Sequence, residues 1–223
     1  MRWFTTPARW FAKGFFTLTS LAVAGYAFTF LYRAFQVGSP FAAQFAVSGW
    51  DVPFHFFMAG SALALGPLQL AGTIRRRWPR LHRTLGWLYA LDILIGAAAG
   101  FSLSFNAQGG LASGLGFATL ALLWPAVTAR GVWLAVRGDA TGHRRWMCRS
   151  VALTYAAVTL RLMLGIGAGA MSLPFMTVYI TAAWSSWPIN LAVCELIIRW
   201  PVIRAQLARD VADRRWVSRS ADV

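Results

Sequence analysis

The sequence predicts an all-α integral membrane bundle of six transmembrane helices with both termini in the cytoplasm, and two observations predict it. Six apolar runs, at 15–35, 53–73, 85–105, 111–130, 147–167 and 174–198, each approach the roughly 20 residues that carry a helix across a bilayer. Arginine and lysine gather on alternate connections between these runs, where the positive-inside rule puts the cytoplasmic loops. Helix is required in every run, because hydrocarbon offers the backbone no hydrogen-bond partner.

Composition agrees. Of 223 residues, 58% are hydrophobic and 13% charged, whereas about a quarter of a soluble domain is charged. A net charge of +14 could suit nucleic acid, but the basic residues stand in short clusters between apolar runs. The expected partners are therefore the lipid bilayer and anionic headgroups at its cytoplasmic face, with no nucleic acid. An inner (plasma) membrane, multi-pass location is expected.

The first run follows Arg2, Arg9 and Lys13 and begins like a signal peptide. It continues past Ala22-Val23-Ala24 through Phe30 and Leu31, too long for an ordinary signal core, and is read as the first span. The second run leads into Arg75, Arg76, Arg77, Arg80 and Arg83, the fourth into Arg137, Arg144, Arg145 and Arg149, and the sixth into Arg199. The connections 36–52, 106–110 and 168–173 contain no lysine or arginine. A single domain over 1–199 is expected, followed by a basic cytoplasmic tail, 200–223. In that tail Val202, Ile203 and Leu207 oppose Arg204 and Arg209, the pattern of a helix lying on the inner leaflet.

Small residues four apart, Gly96 with Gly100, Gly110 with Gly114 and Gly165 with Gly169, predict close helix approaches. Pro125 and Pro188 predict kinks in the fourth and sixth spans. Trp50, Trp78, Trp87, Trp146 and Trp200 stand near span ends, as interfacial anchors do. Cys148 and Cys194 read as packing residues at cytoplasmic helix ends, where thiols stay reduced.

Ionisable residues within spans are costly and point to the bundle interior. Here they are Asp92, Arg161 and Glu195. Glu195 can pair with Arg199 at i, i+4. Asp92 lacks such a local cation and is expected to bond another helix or be protonated. Arg161, about 20 Å from the cytoplasmic boundary, is expected to meet an acceptor in the outer half, with Asp51 and His55 nearest in depth. Asn190 lies nearer the inner side.

The chain has three histidines. His82 and His143 start their spans at one depth, and His55 lies at the other end. His82 shares a helical face with Gly86 and Tyr89, and His143 with Met147 and Ser150. Two imidazoles on facing helices are what a six-coordinate haem b requires. Interfacial residues that bind lipid phosphate or cap carbonyls are the other reading of the pair. Electron transport across the whole bilayer would want four such ligands, so it is disfavoured for one chain. No paired-cysteine, phosphate-loop, zinc-protease or serine-elbow motif is present.

The run His55, Gly60, Gly66, Pro67, Gln69, His82-Arg83, Gly86 and Tyr89 resembles the predicted membrane proteins of domain-of-unknown-function family 2306. So do Gly110, Gly116-Phe117, Trp124, Gly138-Asp139, His143 to Met147, Arg149-Ser150, Arg161, Trp184, Trp187, Asn190 and Glu195. The resemblance covers roughly 50–198 and implies a bacterial multispan membrane protein without implying an activity. Asp92 lies outside its pattern. Three functions stay open: a haem-b- or quinone-linked redox protein, a small-molecule or proton transporter, and a non-catalytic assembly or lipid-interacting protein. Transport rests on Arg161, Glu195 and Asp92 at staggered depths, and assembly on the small-residue faces and basic rims.

Overall fold

The computed structural model describes residues 6–33, 36 and 40–221. The side chains at 6, 8, 9, 40 and 201–221 are outside the description, so Arg2, Arg9 and the expected amphipathic face of the tail lie outside it too. The described residues are helical, with no strand among them. The elements are α1 (Thr6–Tyr32), α2 (Pro40–Ser48), α3 (Asp51–Leu70), α4 (Gly72–Arg77), α5 (Pro79–Ser104), α6 (Leu111–Val136), α7 (Ala140–Thr154), α8 (Ala156–Leu164), a π-helical turn (Gly165–Ala170) and α9 (Phe175–Ala221). Four helical stretches are long and apolar enough to cross a membrane: Trp10–Tyr32, Pro79–Ser104, Leu111–Val136 and Ala140–Ala170. The second predicted run falls on α3, and the sixth on the first half of α9.

Successive long helices pack side by side, α1 on α3, α3 on α5, α5 on α6 and α6 on α7, and α9 closes the bundle against α6, α7 and α8. The central core joins Ala62 of α3, Tyr89, Ile93 and Ala97 of α5, Trp124 and Val127 of α6, and Val151 and Leu153 of α7. Around it Leu91, Leu94, Leu122, Val193 and Ile197 are exposed, the outward apolar surface that lipid covers.

Small residues set the closest approaches. A Cβ at Gly96 would lie 3.2 Å from Cβ of Met58, and one at Gly116 would lie 2.9 Å from the carbonyl oxygen of Ala183, so α3 meets α5 and α6 meets α9 almost backbone to backbone. Gly114 likewise faces the Ser104 carbonyl, while Gly110, Gly165 and Gly169 face open space and make no such approach. Gly110 instead stands in the turn before α6. Two features were not expected from the sequence: α2 inside the connection 36–52, and the π turn that widens Gly165–Ala170 directly after α8.

Antiparallel packing leaves two unlike ends. The starts of α5 and α7 and the ends of α3 and α6 meet at an arginine-rich end, where Nε2 of Gln69 donates to the His82 carbonyl at 3.4 Å. At the opposite end the start of α3 meets the end of α5, where the Ser102 hydroxyl donates to Asp51.

Candidate functional site

Local chemistry places His143. Gly138, with φ +78, turns the chain after α6, a conformation glycine adopts without a Cβ penalty. Asp139 then caps α7 by accepting a 2.8 Å bond from the Gly142 amide. The next residue, His143, donates from Nδ1 to the Gly131 carbonyl of α6 at 2.9 Å. A carbonyl can only accept, so Nδ1 carries a proton.

His82 stands in the first turns of α5, which opens with Pro79. Its imidazole is an electrostatic neighbour of His143 and of Arg75, and its Nδ1 is buried without a hydrogen-bond partner. The common depth expected of the two histidines thus becomes proximity. Helices α5 and α7 scarcely touch through their backbones, and side chains fill the space between them.

Two turns further in lies a fully buried cluster of hydroxyls. Tyr89 of α5 bonds Ser150 at 3.1 Å and Thr154 at 2.8 Å, both on α7. From α6, Nε1 of Trp124 donates to Thr154 at 3.0 Å, and Thr128 meets Ser150 at 2.7 Å. Each polar atom is satisfied by another helix, so the cluster ties α5, α6 and α7 together where water is absent. Sequence reading had singled out Tyr89 and Ser150 but not Thr128 or Thr154. The signal was available: Trp124 with Thr128, and Ser150 with Thr154, are polar pairs at i, i+4 in otherwise apolar helices.

Glu195 does pair with Arg199, at 3.0 Å, and it also accepts from Nε of Arg149 at 2.5 Å. The second partner, on α7, makes Glu195 an interhelical bridge, and the Arg149 guanidinium lies 5.1 Å from the Trp146 ring. Asp92 bonds another helix, accepting from the Ser61 hydroxyl of α3 at 2.6 Å. Asn190 donates to the Ala152 carbonyl at 3.2 Å and accepts from Thr159 at 2.9 Å, holding α9 to the junction of α7 and α8.

At the opposite end His55 donates from Nδ1 to the Gly96 carbonyl at 2.8 Å. Arg161 does not pair with Asp51, which accepts from Ser102 instead. The guanidinium lies 5.2 Å from the Tyr26 ring, donates to the Ala157 carbonyl at 3.0 Å, and is near enough to His55 to act on it electrostatically. Among the described residues no group of three or more metal-binding side chains converges.

A helical membrane protein with imidazole and charged side chains gathered at both ends of its bundle is the class these features define. Within that class, residues 52–198 match the family described as predicted membrane protein (DUF2306), and the chain belongs to that family. No curated protein and no solved structure matches it.

Proposed function

We propose that the chain is a redox membrane protein, haem-b- or quinone-linked, in which His82 and His143 hold the iron of a single haem b at the cytoplasmic side. The observation that carries this reading is the imidazole pair. His143 is oriented by a backbone carbonyl, as ligating histidines are, and beside it His82 has a buried ring nitrogen with no partner. Two neighbouring imidazoles, one with an unpartnered ring nitrogen, suit a shared electrophile. A bound haem would supply one-electron chemistry. The residues of the chain supply orientation through Gly131, and rigidity through the Tyr89, Ser150 and Thr154 cluster behind the pair.

The two other readings have less to rest on. Asp92 and Glu195 each spend their oxygens on a neighbour, Ser61 for one and two arginines for the other. No described hydrogen bond links them to Arg161, so a staggered proton path has no visible rungs among the described residues. The small-residue face at Gly96 is used inside the bundle, whereas Gly165 and Gly169 face open space, so the face of Gly165 and Gly169 is what the assembly reading has to rest on.

Six spans, both termini inside, and the inner membrane of a bacterium belong to this proposal. Its support is the gathering of arginines at one end, against Arg33, after α1, and Arg161 among the described residues toward the other. The basic tail and rims then face anionic headgroups on the cytoplasmic leaflet. Reporter fusions after residues 78, 140 and 210 are expected to be cytoplasmic, and those after 45, 108 and 171 external. An external signal at 140 overturns the topology.

The haem reading is tested by the visible spectrum of protein purified from haem-replete cells. A Soret band is expected in the wild type and in His55→Ala, and its loss or shift in His82→Ala and His143→Ala. A colourless preparation after haem supplementation refutes it.

A further inference from the structure

Among the described residues no acidic side chain pairs with Arg161. The sequence has seven acidic residues. Asp51 is bonded by Ser102, Asp92 by Ser61, Asp139 caps α7, and Glu195 lies between Arg149 and Arg199. Asp210, Asp213 and Asp222 follow Arg199 in the sequence, and their side chains lie outside the description. Of the five N–H donors of a guanidinium, one bond is satisfied by the Ala157 carbonyl, and the Tyr26 ring offers its π face. Neither brings a negative charge.

The direction of the side chain matters as much. Arg161 stands near the end of α8, yet its guanidinium bonds Ala157, one turn back along the helix, and so points away from the nearer surface. Snorkelling to headgroups would send it the other way. Tyr26 of α1 and His55 of α3 stand beside the guanidinium, and Ala24, Leu63 and Val158 of the same three helices pack together. Tyr26 is 54% exposed, so this neighbourhood reaches the outside of the bundle.

We propose that Arg161, between Tyr26 and His55, binds an anionic oxygen group, the phosphate or carboxylate of a ligand entering between α1 and α8. The planar fork of arginine takes two oxygens of such a group at once, and in a site of low polarity a missing counter-charge is a strong demand for one. The inference is independent of the haem reading, because it concerns the other end of the bundle. A lipid headgroup and a free oxyanion share this chemistry, and the probes below separate them.

The experiment uses the full-length protein in a non-ionic detergent and follows its thermal midpoint against phosphatidylglycerol, inorganic phosphate and acetate, with chloride at matched ionic strength. Wild type, Arg161→Gln, Arg161→Lys and Arg130→Gln are compared. The expected result is a half-saturating concentration raised at least about tenfold by Arg161→Gln for one or more probes, with lysine intermediate and Arg130→Gln unchanged. A response to phosphatidylglycerol alone identifies a bilayer lipid, and a response to phosphate or acetate as well identifies a small oxyanion. If Arg161→Gln does not fold, Arg161→Lys decides, with at least a roughly threefold weakening expected from loss of the fork. The proposal is overturned if the folded variant titrates like wild type with every probe, or if wild type responds to none beyond the chloride control.

Discussion

At the arginine-rich end His143 donates its Nδ1 proton to the carbonyl of Gly131, and at the opposite end His55 donates its own to the carbonyl of Gly96. Both histidines stand in the first turns of their helices, and both reach the backbone of a neighbouring helix. The difference lies in what stands nearby. His143 has a second imidazole, His82, as an electrostatic neighbour, and His55 has the guanidinium of Arg161. In the proposals made above the same anchoring bond serves two chemistries: an imidazole pair that takes an electrophile, and a guanidinium without a carboxylate partner that takes an anion. An orienting hydrogen bond fixes how a ring is held, and its neighbours decide what it is held for.

The largest expected effect comes from removing what supports the pair at the arginine-rich end. Tyr89→Ala deletes a fully buried ring and takes one partner each from Ser150 and Thr154, so a loss of about 3–5 kcal/mol is expected in reversible unfolding in detergent. Tyr89→Phe, which keeps the ring, should lose much less. Equal losses in the two variants would show that the hydroxyl bonds rather than ring packing account for the residue, and no loss in Tyr89→Phe would show that packing alone does.

A pair of glycine substitutions tests whether the two anchors are equally rigid. A Cβ at Gly100 would lie 2.8 Å from Nδ1 of His55, within a ring already fixed to Gly96, and about 1–3 kcal/mol of destabilisation is expected for Gly100→Ala. At Gly131 the Cβ would lie 2.7 Å from the sulfur of Met147, a flexible side chain that can move aside, so Gly131→Ala should cost under about 1 kcal/mol. Thermal midpoints in one detergent compare them, and the reverse order would contradict the assignment of the stiffer anchor to His55.

Charge pairing separates the ends again, at smaller scale. Glu195→Gln leaves Arg149 without its carboxylate in a part-buried position and should cost about 1–2 kcal/mol, less than a fully buried pair would. Arg199→Gln, at the exposed side of the same carboxylate, should change stability by under about 0.5 kcal/mol. A double-mutant cycle of Arg149 with Glu195 is the direct check, and additivity there would remove the interhelical bridge from the account.

Much of this was legible in the sequence. Apolar runs of spanning length fix helices because lipid permits nothing else, and the common depth of His82 and His143 follows from counting residues from helix ends. Glu195 with Arg199 followed from helical spacing. Partners that come from other helices were not legible in that way. Nothing along the chain ties Arg149 to Glu195, Ser61 to Asp92 or Tyr26 to Arg161, since each contact depends on helix rotation, which packing of small residues such as Gly96 and Gly116 sets. Depth alone favoured Asp51 for Arg161, and rotation gave Asp51 to Ser102. The helix α2 was hidden because nine residues cannot cross a bilayer, and a search for spans passes over them.

The central claim is that His82 and His143 act as a pair while the identically anchored His55 does not. Electron paramagnetic resonance of the ferric, haem-loaded protein tests this most directly, because two imidazole ligands give a low-spin iron and the loss of one gives a high-spin iron. Low-spin signals are predicted for wild type and His55→Ala, and high-spin signals or loss of haem for His82→Ala and His143→Ala. A low-spin signal that survives in His143→Ala, or one that vanishes in His55→Ala, would contradict the pairing.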